Sequence, residues 1–323
     1  MSTHDTITLA QITDVHLPPA LTWKPWIWNL KRCVGLLNWY RNRRDLHLAP
    51  VAALIAADCV AQNPDHIAVT GDVASLGLPG EFAVGLTWLE TLGDIARVSL
   101  IPGNHDIYTK GCDVACLREW ATYMRSDAWG RDFRGGADGF PYVRRVGNVA
   151  LVALNSAVPT RLFVAAGRIG PRQMQATAEI LDRLKAEGLI RVVLIHHPPL
   201  KQQAPARRAL EDAKAFDKLL KEHRADIVLH GHNHRDTLFW TGAEGGARIP
   251  IVGLATGSTG REHRHEPLAR YNIYKISGRG GDARIEIITR GLESAGGKII
   301  ELRRQVLAPD ATLAASGSVM SVP

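Results

Sequence analysis

Short apolar runs, each ending in a polar cluster, set the rhythm of the chain. They are Thr6–Thr13 before Asp14, His66–Thr70 before Gly71, Arg97–Ile101 before Pro102, and Val149–Leu154 before Asn155. Arg191–Ile195 before His196 and Asp226–Leu229 before His230 repeat the pattern. Continuous Val, Ile and Leu at this length predict strands buried on both faces. Ile249–Leu254, Tyr271–Ile276 and Arg284–Thr289 read as further strands at the end of the sheet. Between the early runs, Pro50–Gln62, Gly80–Leu92, Cys112–Met124, Gly170–Glu187 and Ala213–His223 carry helical patterns. Strand and helix alternate, so the class is α/β with a partly parallel sheet. No internal repeat appears. One domain is expected over residues 1–302, with 303–323 as a loose tail whose last part, Pro309–Pro323, is small and polar.

Composition bounds this picture without changing it. With 323 residues, 46% of them hydrophobic and 22% charged, the chain can bury a full core without staples. No apolar run approaches the ~20 residues that span a bilayer. Ile7, Leu9 and Ile12 begin a strand pattern at once, which is expected to leave no room for a signal peptide. Cys33, Cys59, Cys112 and Cys116 form no C-x-x-C pair, so they read as reduced thiols. The expected location is the cytoplasm.

Charge changes more. The net +7 is local: Leu17–Arg44 holds Lys24, Lys31, Arg32, Arg41, Arg43 and Arg44 and no acidic residue. Without those six, 33 basic residues face 32 acidic ones. A nearly neutral body argues against nucleic acid as a partner. The same segment holds Trp23, Trp26, Trp28 and Trp39, half of the eight tryptophans.

The candidate chemistry sits where strands end, the position at which open α/β sheets bind ligands. In order, the clusters are Asp14-Val15-His16, Gly71-Asp72, Gly103-Asn104-His105-Asp106, His196-His197-Pro198 and Gly231-His232-Asn233-His234. Singly they are bland, a helix cap beside a histidine or a turn. Together they supply two carboxylates, one amide and four imidazoles, with His105 and Asp106 to spare. Such a set without metal would bury titratable groups in mutual conflict. Nitrogen and oxygen donors without thiolate suit Mn, Fe, Zn or Co.

This ordered set of blocks resembles the calcineurin-like metallophosphoesterase superfamily, with a motif pattern similar to its class III phosphodiesterases. The resemblance implies a mixed β-sandwich flanked by helices and two divalent transition-metal ions. It places Asp14, His16 and His234 on the first metal and Asn104, His196 and His232 on the second. Asp72 would bridge, its two oxygens shared between them. Such a site clamps a phosphate and lowers the pKa of a bound water toward ~7, giving a hydroxide that attacks phosphorus. His105 would protonate the leaving group or stabilise the transition state, with Asp106 orienting its ring. His197 and His230 are left as neighbours of ligands, and His263 and His265 as members of an exposed loop.

Departures narrow the substrate. Gly71-Asp72-Val73-Ala74-Ser75-Leu76-Gly77 lacks the Asp-Arg pair of the family's protein phosphatases. His105 stands where pyrophosphatases of lipid A synthesis usually have Arg. The Trp-rich basic segment follows Asp14-Val15-His16, so residues 17–49 are expected to form a lid on the site's rim. Ile27, Leu30, Val34 and Leu37 lie at helical spacing, with Lys31 and Arg41 off that face. Trp23, Trp26, Trp28 and Trp39 with Lys31 and Arg32 suit a membrane surface or acyl chains. The expected substrate is therefore a lipid-linked phosphodiester or pyrophosphate, with peripheral attachment at the inner face of the membrane. A soluble cyclic-nucleotide or glycerophosphodiester phosphodiesterase is the alternative. A non-catalytic metal-containing scaffold is a third, but such relatives lose histidines that are all present here.

Overall fold

The apolar runs become strands whose alternate residues face two separate cores. In β5 (Val149–Ala153), Leu151 and Ala153 join the core between two sheets, while Ala150 and Val152 face helices outside. The computed structural model describes residues 6–22, 24–133, 139–241, 248–264 and 266–307.

Two six-stranded sheets stack as a sandwich. The first runs β12 (Ile299–Leu307), β11 (Arg284–Leu292), β10 (Arg270–Ser277), β1 (Ile7–Ile12), β2 (His66–Val69), β3 (Val98–Leu100). The second runs β4 (Tyr142–Val146), β5, β6 (Ile190–Leu194), β7 (Ile227–His230), β9 (Ile249–Gly253), β8 (Thr237–Thr241). Strands β1, β2 and β3 are parallel, as are β5, β6, β7 and β9, and the others pair antiparallel. Helices α2 (Ala49–Ala61) and α3 (Pro79–Leu92) cover the first sheet. Helices α5 (Pro171–Ala186) and α6 (Ala213–His223) cover the second. Pro50, Pro79 and Pro171 stand in the first turns of α2, α3 and α5, where a missing N–H costs no hydrogen bond. Helix α6 buries Ala213, Phe216, Leu219 and Leu220 along one stripe.

Three strands escape the sequence pattern, β4, β8 and β12, and all three are sheet edges. An edge strand lacks a neighbour on one side, and Arg144, Arg145, Arg303 and Arg304 break its apolar run. Strand β12 also corrects the expected tail: residues 303–307 pair with β11, and residues 308–323 lie outside the described residues. Helix α4 (Cys112–Glu119) stops short of the expected Met124.

The insertion after Val15-His16 folds as short helical turns seated on the body through Lys31 and Arg32. A short turn, Pro25–Ile27, leads to α1 (Leu30–Asn38), whose N-cap Asn29 accepts from the Arg32 amide at 3.0 Å. A π-helical turn, Trp39–Arg43, follows. Arg32 is only 8% exposed, and its guanidinium donates to the carbonyls of Ile27, Leu76 and Gly77. Lys31 Nζ donates to the Tyr108 and Thr160 carbonyls at 2.8 and 2.9 Å. Helix α1 rides close to the body at Gly35, where a Cβ would stand 2.5 Å from the Tyr108 hydroxyl. The apolar side chains look outward instead: Trp26 is 79% exposed and Leu30 70%. Lys31 and Arg32 are thus spent on the body, not on headgroups as expected. Desolvated backbone carbonyls at the lid's seat require donors, and these two side chains supply them. Trp28 is half-buried and donates to the Thr22 carbonyl, Trp39 is half-buried, and Trp23 lies outside the described residues.

Candidate metal centre

The polar blocks converge because both sheets end their parallel strands at one edge of the sandwich. Asp14 and His16 follow β1, Asp72 follows β2, and Asn104 and His105 follow β3. His196 follows β6, and His232 and His234 follow β7. Backbone pairing carries on past the strands: the Asp14, His16 and Leu17 amides donate to the carbonyls of Gly71, Asp72 and Val73. The Gly231 amide donates to the His196 carbonyl, and Gly257 to Thr13.

Strain marks the same residues. Asp14, His16, Asp72, His232 and His234 all have positive φ, between 42° and 69°. Each costs of order 1 kcal/mol or more outside glycine, and such strain persists only where surrounding structure imposes it. Gly71 (φ 95°) makes the turn before Asp72 possible, since a Cβ there would sit 2.7 Å from the Gly103 amide and from His196 Nδ1.

The donors fall into two groups around one carboxylate oxygen. Asp72 Oδ2 lies 3.3 Å from His196 Nε2 and 3.8 Å from His16 Nε2. On one side, His16 Nε2 and His234 Nε2 are 3.0 Å apart, and Asp14 Oδ1 is 3.4 Å from His234 Nε2. On the other, His196 Nε2 is 3.2 Å from Asn104 Oδ1, and the His232 ring meets that of His196 edge to face with centroids 5.2 Å apart. Asp72 Oδ1 accepts from the His105 amide at 2.7 Å. Oδ2 is the oxygen that lies near the histidine nitrogens of both groups. Orphaned atoms point inward too: Asp14 Oδ1 and His232 Nε2 are buried without a hydrogen-bond partner. Carboxylate, amide and imidazole donors this close, with lone pairs left over, fit divalent cations.

Electrostatics agree with a site short of positive charge. Burial opposes the Asp72 carboxylate, yet the His196 and His105 imidazoles hold it well below its ordinary range. Burial likewise opposes protonation of His196, and the Asp72 carboxylate overrides it, raising His196 to about 9. A cation between them would remove the need for that proton.

One expectation fails on geometry. Asp106 does not hold the His105 ring: its Oδ2 accepts from the amides of Asp72 and Gly103, and its Oδ1 from Ala74, each at 2.8 Å. The carboxylate pins the two loops together, because three buried amides there have no strand partner. The His105 ring is held instead by Ser75, whose carbonyl is 2.5 Å from Nδ1, and by Arg43, whose Nη1 is 3.1 Å from Nε2. A carbonyl only accepts and a guanidinium only donates, so His105 carries its proton on Nδ1.

Sequence reasoning missed four rim residues. Arg43 comes from the π-helical turn, a feature that recurs at functional sites. Arg208 donates to the His232 carbonyl at 2.7 Å, and Glu266 accepts at 3.1 Å from His234 Nδ1. His47 packs against the His16 ring at 4.8 Å between centroids. None stands in a strand-end block, so only the folded lid and loops reveal them. His197 bonds Ser156 through Nδ1 while its ring packs 4.6 Å from that of His232, and His230 bonds the Gly231 carbonyl. His263 pairs with Glu266 across its loop, and His265 lies outside the described residues.

Residues 7–236 match the model of the calcineurin-like phosphoesterases. The chain belongs to that family. Its chemistry is hydrolysis of phosphoester bonds. A probable cyclic nucleotide phosphodiesterase of Synechococcus sp. is 27% identical over 237 residues, 71% of this chain and 74% of the relative. A dimetal phosphatase from Danio rerio shares the fold with a TM-score of 0.58 at 13% identity, covering 92% of this chain and 98% of that one. The purple acid phosphatase PPD1 of yellow lupin seeds (Lupinus luteus) has the same TM-score and identity, covering 94% of this chain and 54% of that one. No helix among the described residues is long and apolar enough to cross a membrane.

Proposed function

We propose that this phosphoesterase is a two-metal phosphodiesterase. The observation that carries the reading is Asp72 Oδ2, set 3.3 and 3.8 Å from histidine nitrogens of the two donor groups. Asp14, His16 and His234 would hold the first ion, Asn104, His196 and His232 the second, with Asp72 between them. A bound metal pair would supply the Lewis acidity for hydrolysis of a phosphoester. This chain's own residues supply the rest. Arg43 reaches the site as a fixed cation for a phosphate oxygen, held by the lone pair of His105 Nε2. His105 in this tautomer is an acceptor, which supports charge positioning over donation of a proton to the leaving group. Arg208, bonded to the His232 carbonyl, adds a second cation at the site.

Leu21, Trp26, Leu30, Leu37 and Tyr40 are exposed apolar side chains of this one segment, which supports a substrate with an acyl or similar apolar part at a membrane surface. The charge left for anionic headgroups is Lys24 and Arg41, since Arg44 pairs with Asp45 at 3.3 Å. A soluble cyclic nucleotide is the second reading, favoured by the Synechococcus relative. After chelation and reloading with Mn2+, hydrolysis of bis(p-nitrophenyl) phosphate should return. Failure on every phosphoester tested would favour a scaffold role. Replacing Trp26 and Leu30 by Ser should abolish sedimentation with vesicles and turnover of a lipid-linked diester, and spare the nitrophenyl substrate. Wild type that ignores vesicles yet cleaves a cyclic nucleotide well would establish the second reading.

A further inference from the structure

We infer that His47 is an additional ligand of the first metal ion, so that the lid itself coordinates the centre it covers. The inference rests on the two-metal reading above. His47 is 2% exposed, and its ring lies 4.8 Å from His16 and 5.6 Å from His234 between centroids. One ligand nitrogen from each of His16, His47 and His234 falls within 4.8 Å of the others. Two nitrogens bound to one ion at about 2.1 Å stand at most about 4.2 Å apart. The three rings therefore close on one cation with a shift of less than an ångström.

The backbone fixes His47 in that place. The Leu48 amide donates to the Ser258 carbonyl, the Gly260 amide to the Leu46 carbonyl, and His47 itself bridges Thr259 antiparallel. Its Nδ1 is 2.9 Å from Ser258 Oγ. A histidine that binds metal through one nitrogen almost always engages an oxygen with the other, which sets its tautomer and orientation. A purely structural residue here would do better apolar, because a further buried imidazole beside Arg43 and His105 is costly to desolvate. A cation gives its lone pair a use.

The consequence reaches the phosphate side. The His47 amide donates to the Arg43 carbonyl at 2.8 Å, so one helical turn joins the ligand to the guanidinium that meets His105. Loading the first ion then locks the lid and sets Arg43.

The test is titration of chelator-stripped, refolding-checked protein with Zn2+ against a chromophoric chelator, for wild type, His47→Ala, His47→Gln and Ser258→Ala. Wild type should bind two ions. Both His47 variants should weaken one site by about 10–100-fold or more and leave the other, with Ser258→Ala weakening the same site less. Bound Co2+ should show a changed visible absorption in the His47 variants. Hydrogen exchange at Leu46–Leu48 should slow on metal binding in wild type and not in His47→Gln. A second variant guards against misfolding, and circular dichroism identifies which variants fold. If wild type binds two ions and both His47 variants hold them as tightly, with unchanged Co2+ spectra, the inference falls alone. If wild type binds fewer than two, the two-metal reading falls and takes it along.

Discussion

At the scale of single residues, neighbouring positions in Gly103-Asn104-His105-Asp106 divide the work differently from what their types suggest. Asp106 holds backbone, and His105 meets Arg43. Asp106→Ala would strip acceptors from three buried amides at about 1–3 kcal/mol each, so thermal unfolding should show a loss of several kcal/mol together with loss of metal. A variant that kept stability and metal while losing only turnover would restore the orienting role. His105→Ala should keep its metal, read by elemental analysis, while turnover falls by about 10²–10³. The loss should be equal for nitrophenyl esters and for poor leaving groups, since Nδ1 carries the proton and Nε2 accepts from Arg43. A much smaller loss for the good leaving group would show proton donation instead.

At the scale of elements, the strand ends were readable and the lid's orientation was not. Asp14, Asp72, Asn104, His196, His232 and His234 each follow a buried apolar run, a signal that survives without knowing the partner strands. Helix α1 could be located from Ile27, Leu30, Val34 and Leu37, but spacing does not say which face meets the body. Two body carbonyls, those of Leu76 and Gly77, decided it by taking the Arg32 guanidinium. Arg43 and His47 stayed hidden because the π-helical turn and the bridge to Thr259 are products of that docking. Arg32→Met should therefore unseat the lid, and limited proteolysis should cut within 24–44 much faster than in wild type. Equal cleavage rates would mean the lid holds without it.

The Leu76–Leu78 loop under the lid carries a pH dependence. Glu81 Oε2 accepts from the Leu76 and Leu78 amides, and burial, opposed by those bonds, lifts its carboxyl to about 7. A folded pKa above the unfolded 4.5 means the contribution is full below pH 4.5 and is lost as pH rises through 7. Relative to Glu81→Gln, wild type should lose stability of order 3 kcal/mol between pH 4.5 and 8 in denaturant unfolding. Parallel curves for the two proteins would contradict the raised pKa.

At the scale of the whole molecule, the α/β class was legible because buried parallel strands announce themselves in runs of Val, Ile and Leu. The edges β4, β8 and β12 were not, since an edge needs charge as much as apolar surface. Stacking the two sheets is what brings β1, β2 and β3 to the same rim as β6 and β7, and with them two donor groups onto one Asp72 oxygen. The most direct measurement is therefore the metal content of protein purified at full Mn2+ supply, for wild type, His16→Ala and Asp72→Ala. The arrangement predicts close to two ions per wild-type chain, loss confined to one site in His16→Ala, and weakened binding at both in Asp72→Ala. One ion or none in wild type, or two tightly held ions in Asp72→Ala, would contradict it.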